Sequence, residues 1–206
     1  MNTRDGHVTL DRLHQFAKKH PDCYLRPRPE GSGILLSEYS NLCKETVSEI
    51  SLAGGIYLWG SYNPRGQWKN IYVGCTRFGK TASLRARILE ELRDEKCSVW
   101  AKFLGDDAIL GMNDSGRRNR RRSIRKKGVT HIFWVATPDL SNHEVREVES
   151  ELIEALNPEA NHQKSVPAPY QQGVANRVFR ILRKQIHIHR PKIRSARGAA
   201  DYAAHK

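Results

Sequence analysis

The residues best suited to chemistry in this chain are one misplaced carboxylate, two arginines and two tyrosines. A helix is predicted after Asp139, where Ser141 and Glu144 have capping-box spacing and Asn157-Pro158 marks the stop. At about 100° per residue, Val145, Val148, Leu152 and Leu156 form one apolar stripe, with Glu144, Glu147, Glu151 and Glu154 gathered opposite. Glu149 falls inside the stripe. A carboxylate facing a core costs several kcal/mol unless a cation or hydrogen-bond donors meet it. A buried ion pair and a divalent-metal ligand both satisfy that demand. A second helix is predicted over 81–94, started by Thr81 or Ser83, with Leu84, Ile88 and Leu92 on one face. Arg85 and Arg87 flank that face, and either could reach across a cleft. Arg87 could equally pair with Glu91 at i,i+4. Tyr57 and Tyr72 lie on two predicted strands. An even-numbered loop would let them share a sheet face, and a bulge at Gly66 would put them on opposite faces.

The elements that must position these side chains are legible in outline. Two helical stretches, around Leu10–Lys19 and Leu36–Ile50, are separated by the break Arg26-Pro27-Arg28-Pro29. Residues 54–74 read as a β-hairpin, whose turn Asn63-Pro64-Arg65-Gly66 suits type I geometry. HIFWVAT at 131–137 reads as a buried strand, and a basic tail runs from about Lys164 to the end. The sequence shows no internal repeat.

Bulk composition narrows the partners. The chain has 206 residues, with 35 Lys plus Arg against 22 Asp plus Glu, a formal charge of +13. The sequence pI is near 9.9. Such an excess says nothing about fold but makes a polyanion the default partner. Cys23, Cys43, Cys75 and Cys97 are dispersed and form no C-x-x-C pair, which argues against a zinc ribbon or a disulfide framework. No stretch approaches a membrane span, and the polar start MNTRDGHVTL lacks a signal core. The expectation is an intracellular, cytoplasmic protein with reduced thiols and no membrane association.

Taken in order, Gly55-Ile56-Tyr57, Tyr72-Val73-Gly74, Ser83-Leu84-x-x-Arg87, Glu149-x-x-Leu152-Ile153 and Pro158-x-x-Asn161 resemble the GIY-YIG nuclease superfamily over about residues 54–163. The resemblance implies an α+β module, a small three-stranded antiparallel sheet flanked by helices, that hydrolyses DNA with one divalent metal. It implies Tyr57 as general base, Tyr72 positioning water or phosphate, Arg87 on the scissile phosphate, Glu149 as metal ligand and Asn161 ordering the end of the site. It thus selects Arg87 over Arg85, and metal ligand over ion pair for Glu149. The implied cofactor is Mg2+, with Mn2+ as a substitute. Tyrosine is a poor base at neutral pH, since its pKa is about 10. Lys69 could assist by stabilising a phenolate, or could simply face solvent.

Two features depart from that pattern. Many members carry a histidine four residues after the arginine, where this chain has Glu91. Glu91 is therefore expected to turn away, or His143 or His162 to take over. The segment before the third strand is also long and carries Arg117, Arg118, Arg120, Arg121, Arg122, Arg125, Lys126 and Lys127, a candidate DNA-binding insertion. The expected organisation is an N-terminal helical extension (1–53), the nuclease module (54–163) with a basic insertion at about 95–129, and a basic C-terminal extension (164–206). Recognition would fall to the N-terminal helices, the insertion and the tail. The pair His187-x-His189 lies in a strand-like basic segment and is not expected to bind metal. The leading expectation is a sequence-specific endonuclease of double-stranded DNA resembling type II restriction enzymes, and a palindromic site would imply a homodimer. The alternatives are a structure-specific repair or recombination nuclease and a non-catalytic nucleic-acid-binding protein.

Overall fold

The computed structural model describes residues 3–20, 32–76, 82–93, 128–161 and 172–192. Elements run β1 (Arg4–Thr9), α1 (Asp11–Lys19), α2 (Ser32–Thr46), β2 (Gly55–Tyr62), β3 (Trp68–Cys75), α3 (Leu84–Arg93), β4 (His131–Ala136), α4 (Asn142–Leu156) and α5 (Gln172–Ile188). The strands form one antiparallel sheet in the order β1-β4-β2-β3. The class is mixed α/β, as expected, but the sheet has four strands rather than three.

The fourth strand is β1. Its sequence RDGHVT buries only Val8, so it carries almost no apolar signal, and the sequence reading placed a purely helical extension there. Its pairing with β4 supplies the order that its side chains do not. Gly6 lies beneath Trp134, where a Cβ would overlap the indole ring.

Alternation along the strands splits the core in two. One face carries Val8, Tyr57, Trp59, Ile71, Tyr72, Ile132 and Trp134 against Leu10 and Leu13 near α1, Tyr39 and Cys43 of α2, and Leu84, Ile88 and Leu92 of α3. The other carries Ile56, Leu58, Val73, Cys75, Phe133 and Val135 against Val145, Val148 and Leu152 of α4 and Ala175, Val178 and Leu182 of α5. The sheet is thus sandwiched between two helical layers. Residues 172–188, read from sequence as part of a basic extension with a strand-like end, are a helix that closes the second layer. The pattern Val174, Val178, Ile181, Leu182 is the apolar stripe that dictates it.

Local sequence sets the ends of the helices. Ser141 Oγ accepts from the Glu144 N–H, and Glu144 returns a bond to the Ser141 N–H at 2.7 Å, completing the expected capping box. Asn157 ends α4 in the left-handed region at φ 43°, just before Pro158. Ser83 caps α3, accepting from the Ala86 N–H at 3.2 Å, while Thr81 lies outside the described residues. α2 starts at Ser32, four residues ahead of the sequence boundary, and ends at Thr46.

The hairpin decides where the tyrosines go. Asn63 Oδ1 accepts from the Arg65 and Gln67 N–H groups, the Gly66 N–H donates to Asn63 O at 2.8 Å, and Gly66 takes φ 68°. Tyr62 pairs with Trp68, so the loop 63–67 has an odd number of residues. That register alone would send Tyr57 and Tyr72 to opposite faces. A bulge inside the ladder reverses it: Gly60 pairs with Asn70 but Trp59 pairs with Tyr72, leaving Ile71 as the extra residue. Tyr57 and Tyr72 therefore share a face.

Candidate active site

Tyr57 is fully buried, and its ring stands 6.2 Å from that of Tyr72. The Tyr57 ring lies directly over Gly74, where any Cβ would overlap it. The glycine of Tyr72-Val73-Gly74 is therefore the seat of the other tyrosine, which no reading of the separate strands reveals. Tyr57 Oη and Arg87 Nε are both buried without a partner at full hydrogen-bond geometry, although the two side chains act on each other. Two buried polar atoms left open in one region are costly, and such exceptions concentrate where another molecule is to be bound.

Arg87 projects from α3 toward these rings, whereas Arg85 turns the other way and donates to Ile50 O at 2.9 Å. The fold thus separates the two arginines that periodicity leaves equivalent. Arg87 meets Glu91 at 2.7 Å and Glu90 at 2.8 Å, with the Arg87 and Glu91 side chains only 11% and 12% exposed. Of the alternatives weighed for Glu91, it does not turn away but makes the i,i+4 pair with Arg87 that the sequence also offered. It holds the guanidinium by the i,i+4 pairing that the helix makes available. Burial pushes the Tyr57 hydroxyl well above its ordinary value of 10.0, and Glu91, Tyr72 and Glu149 add to the rise while Arg87 opposes it. Burial opposes the Arg87 charge, but Tyr57 and Glu91 more than offset it and leave its pKa raised.

Glu149 comes from the other helical layer. It is half-buried, and its Oε2 accepts from the Cys75 thiol at 3.0 Å at the end of β3, one residue beyond Gly74. Its charge reaches Tyr57, though less strongly than that of Arg87. Neither sequence alternative for Glu149 included Cys75, which was read only as one of four dispersed cysteines; its place just after the Tyr72-Val73-Gly74 run is the one signal that points to it. Asn161 clamps the outer edge of β3: its side chain accepts from the Val73 N–H at 2.8 Å and donates to Val73 O at 2.9 Å. Ala160 N–H donates to Ile71 O at 2.8 Å, so residues 160–161 cover an otherwise open strand edge beside the bulge.

Other sequence candidates lie elsewhere. Lys69 is exposed and pairs with Glu159 at 2.7 Å. His143 is exposed and pairs with Glu147 at 3.3 Å. His162 and the run Arg117, Arg118, Arg120, Arg121, Arg122, Arg125, Lys126 and Lys127 lie outside the described residues, as do Cys23 and Cys97. Cys43 and Cys75 are buried and in no disulfide. No helix among the described residues is long and apolar enough to cross a membrane.

The donor set bears on the metal expectation. Among the described residues, no three His, Cys, Asp or Glu side chains come together as a metal site. Glu149 is half-buried, and its carboxylate fits one hard divalent ion that would take its remaining ligands from water and substrate oxygens.

No family model, curated protein or solved structure matches the chain.

Proposed function

We propose that this chain is a metal-dependent endonuclease that hydrolyses phosphodiester bonds in double-stranded DNA, of GIY-YIG type and sequence-specific in the manner of a type II restriction enzyme. The observation that carries the reading is convergence. Tyr57 and Tyr72 share a face only because of the bulge at Ile71, and Arg87 and Glu149 reach that end of the sheet from opposite layers. In the reaction, water adds to phosphorus, one P–O ester bond breaks, and the leaving oxygen gains a proton. Arg87 would meet the charge that builds on the nonbridging oxygens, for which a guanidinium fork is well shaped. Glu149 would hold Mg2+, and the ion, when bound, would supply further stabilisation of that charge. For Tyr57 to take the proton of the water, its grip on its own proton must weaken, and of the charges acting on it Arg87 is the one working in that direction. Asn161 would fix the strand from which Tyr72 projects.

A non-catalytic DNA-binding role is the second reading, and one observation favours it: Glu90 and Glu91 already neutralise Arg87, so a phosphate must displace them. Incubating plasmid with purified protein and Mg2+ separates the two. We expect discrete fragments, no cleavage in EDTA, and none from Glu149→Ala although that variant still binds DNA. Intact plasmid under all conditions, with binding retained, would establish the second reading instead. Cleavage by Glu149→Ala at the wild-type rate would remove Glu149 from the site.

A further inference from the structure

The longest acid-free stretch of the chain runs from Ala160 to Ala200, and α5 lies within it. At about 100° per residue the apolar positions of α5, Ala175, Val178 and Leu182, form its buried side. Arg177, Arg180, Arg183, Lys184 and His187 fall on the opposite side, and all five are exposed. Arg180 and Arg183 make local contacts only: Arg180 Nε donates to Asn176 O at 3.3 Å, and Arg183 lies 5.4 Å from the Phe179 ring. Among the described residues, no carboxylate pairs with Arg177, Arg180, Arg183 or Lys184.

We propose that this solvent face of α5 is a docking surface for the phosphodiester backbone of double-stranded DNA. The inference rests on the nucleic-acid part of the function proposed above and assigns it to a surface. From Arg177 to Lys184 the cations span about 10 Å of helix axis, a length over which B-DNA presents about six phosphate charges on its two strands. An anionic membrane fits less well. A helix binds a bilayer by inserting its apolar side, and here that side fills the core between sheet and α4. A protein partner also fits less well, since such interfaces centre on buried aromatic or aliphatic anchors. The only large exposed hydrophobic residue on α5 is Ile188, at its last position. What remains is a row of cations with no base-reading partner in view, which suits sequence-independent phosphate contact. α5 packs against α4, the helix that carries Glu149, so a duplex held there lies alongside an element of the candidate site.

The test uses the full chain in EDTA, so that binding is read without cleavage, and a fluorescent duplex of arbitrary sequence. The triple variant Arg177→Ala/Arg180→Ala/Lys184→Ala is compared with wild type and with Lys18→Ala/Lys19→Ala on α1, all checked for equal thermal stability. Between about 50 and 200 mM salt, the triple variant should lose about two to three units of the slope of log affinity against log salt, and bind at least about tenfold more weakly. The α1 variant should stay close to wild type. Wild-type affinity and slope in the α5 variant overturn the proposal. So does failure of the wild-type chain to bind the duplex, or tighter binding to phosphatidylserine vesicles than to DNA. The endonuclease reading fails separately: a wild-type chain that binds through α5 but never cuts plasmid leaves this surface standing without the catalysis.

Discussion

Tyr57 shows how a residue can be costly to the fold and still be kept. Its buried hydroxyl has no partner at full hydrogen-bond geometry and interacts with the Arg87 guanidinium alongside, so Tyr57→Phe removes a polar group whose desolvation is only partly offset. The variant should melt at or slightly above the wild-type temperature. If Tyr57 handles the proton of the attacking water, the same change should slow plasmid cleavage by about a hundredfold or more. Thermal denaturation and single-turnover cleavage on one preparation check both halves. A stable variant that cuts within a few-fold of wild type would assign the tyrosine to packing. Glu91 belongs to the same argument. It neutralises Arg87 and raises the Tyr57 hydroxyl further, so it opposes both assigned roles in the resting protein. Glu91→Gln keeps the shape of the side chain and drops its charge, and should therefore tighten binding of short DNA at low salt. Weakened binding would mean that Glu91 orients Arg87 for its ligand rather than competing with that ligand.

At the scale of elements, the junction of β1, β4 and α5 is sensitive to protons. His7 stacks on His189, with ring centroids 3.4 Å apart, and also on Phe133; His131 lies beyond at 6.4 Å. The Gln185 side chain donates to Asp5 alongside. Burial, then His189 and His131, lower the His7 pKa from 6.5 to about 4. Burial first, with help from His189, lowers His131 as well, although Asp11 acts against the shift. Well above pH 6.5 His7 and His131 are neutral in folded and unfolded chains alike, and their full contribution to stability is present. As pH falls from 6.5 toward about 4, the unfolded chain binds protons that the folded one refuses, and stability declines. Urea titrations across that window should show a falling midpoint, and His7→Phe should flatten the decline. An unchanged pH profile in His7→Phe would place the titration elsewhere.

For the whole molecule, the question is whether the chain is a module with appendages. Both terminal segments read from sequence as extensions contribute buried residues to the two cores: Leu10 and Leu13 to one, Ala175, Val178 and Leu182 to the other. Leu182→Ala should then cost about 2–5 kcal/mol, as expected for a filled core site. Ile188→Ala, at a position 56% exposed, should stay within about 0.5 kcal/mol of wild type. Denaturant unfolding of the two variants decides it. Near-neutral effects from both would restore the picture of a dispensable tail.

Local patterns determined much of this protein. The capping box at Ser141, the stop at Asn157-Pro158, the hairpin turn at Asn63 and the out-of-place Glu149 were readable because each depends on residues within a turn or two of one another. The strand β1 was not readable, because an edge strand with one buried side chain has no periodicity to detect, and its order comes from backbone pairing with a segment over a hundred residues away. Nor was α5, where the seven basic residues and histidines from Arg177 to Arg190, in and just after the helix, mask an apolar stripe that only the waiting sheet face makes meaningful. The site itself divides the same way. Residue types and order suggested Tyr57, Tyr72, Arg87 and Glu149, but register is a property of two strands together. An odd loop and a bulge at Ile71, whose effects cancel, put both tyrosines on one face. Tertiary packing alone turned Arg85 to Ile50 and brought Cys75 to Glu149, because each of those contacts depends on where neighbouring elements come to rest, whereas the Arg87–Glu91 pair lies within one helix and was open to the sequence.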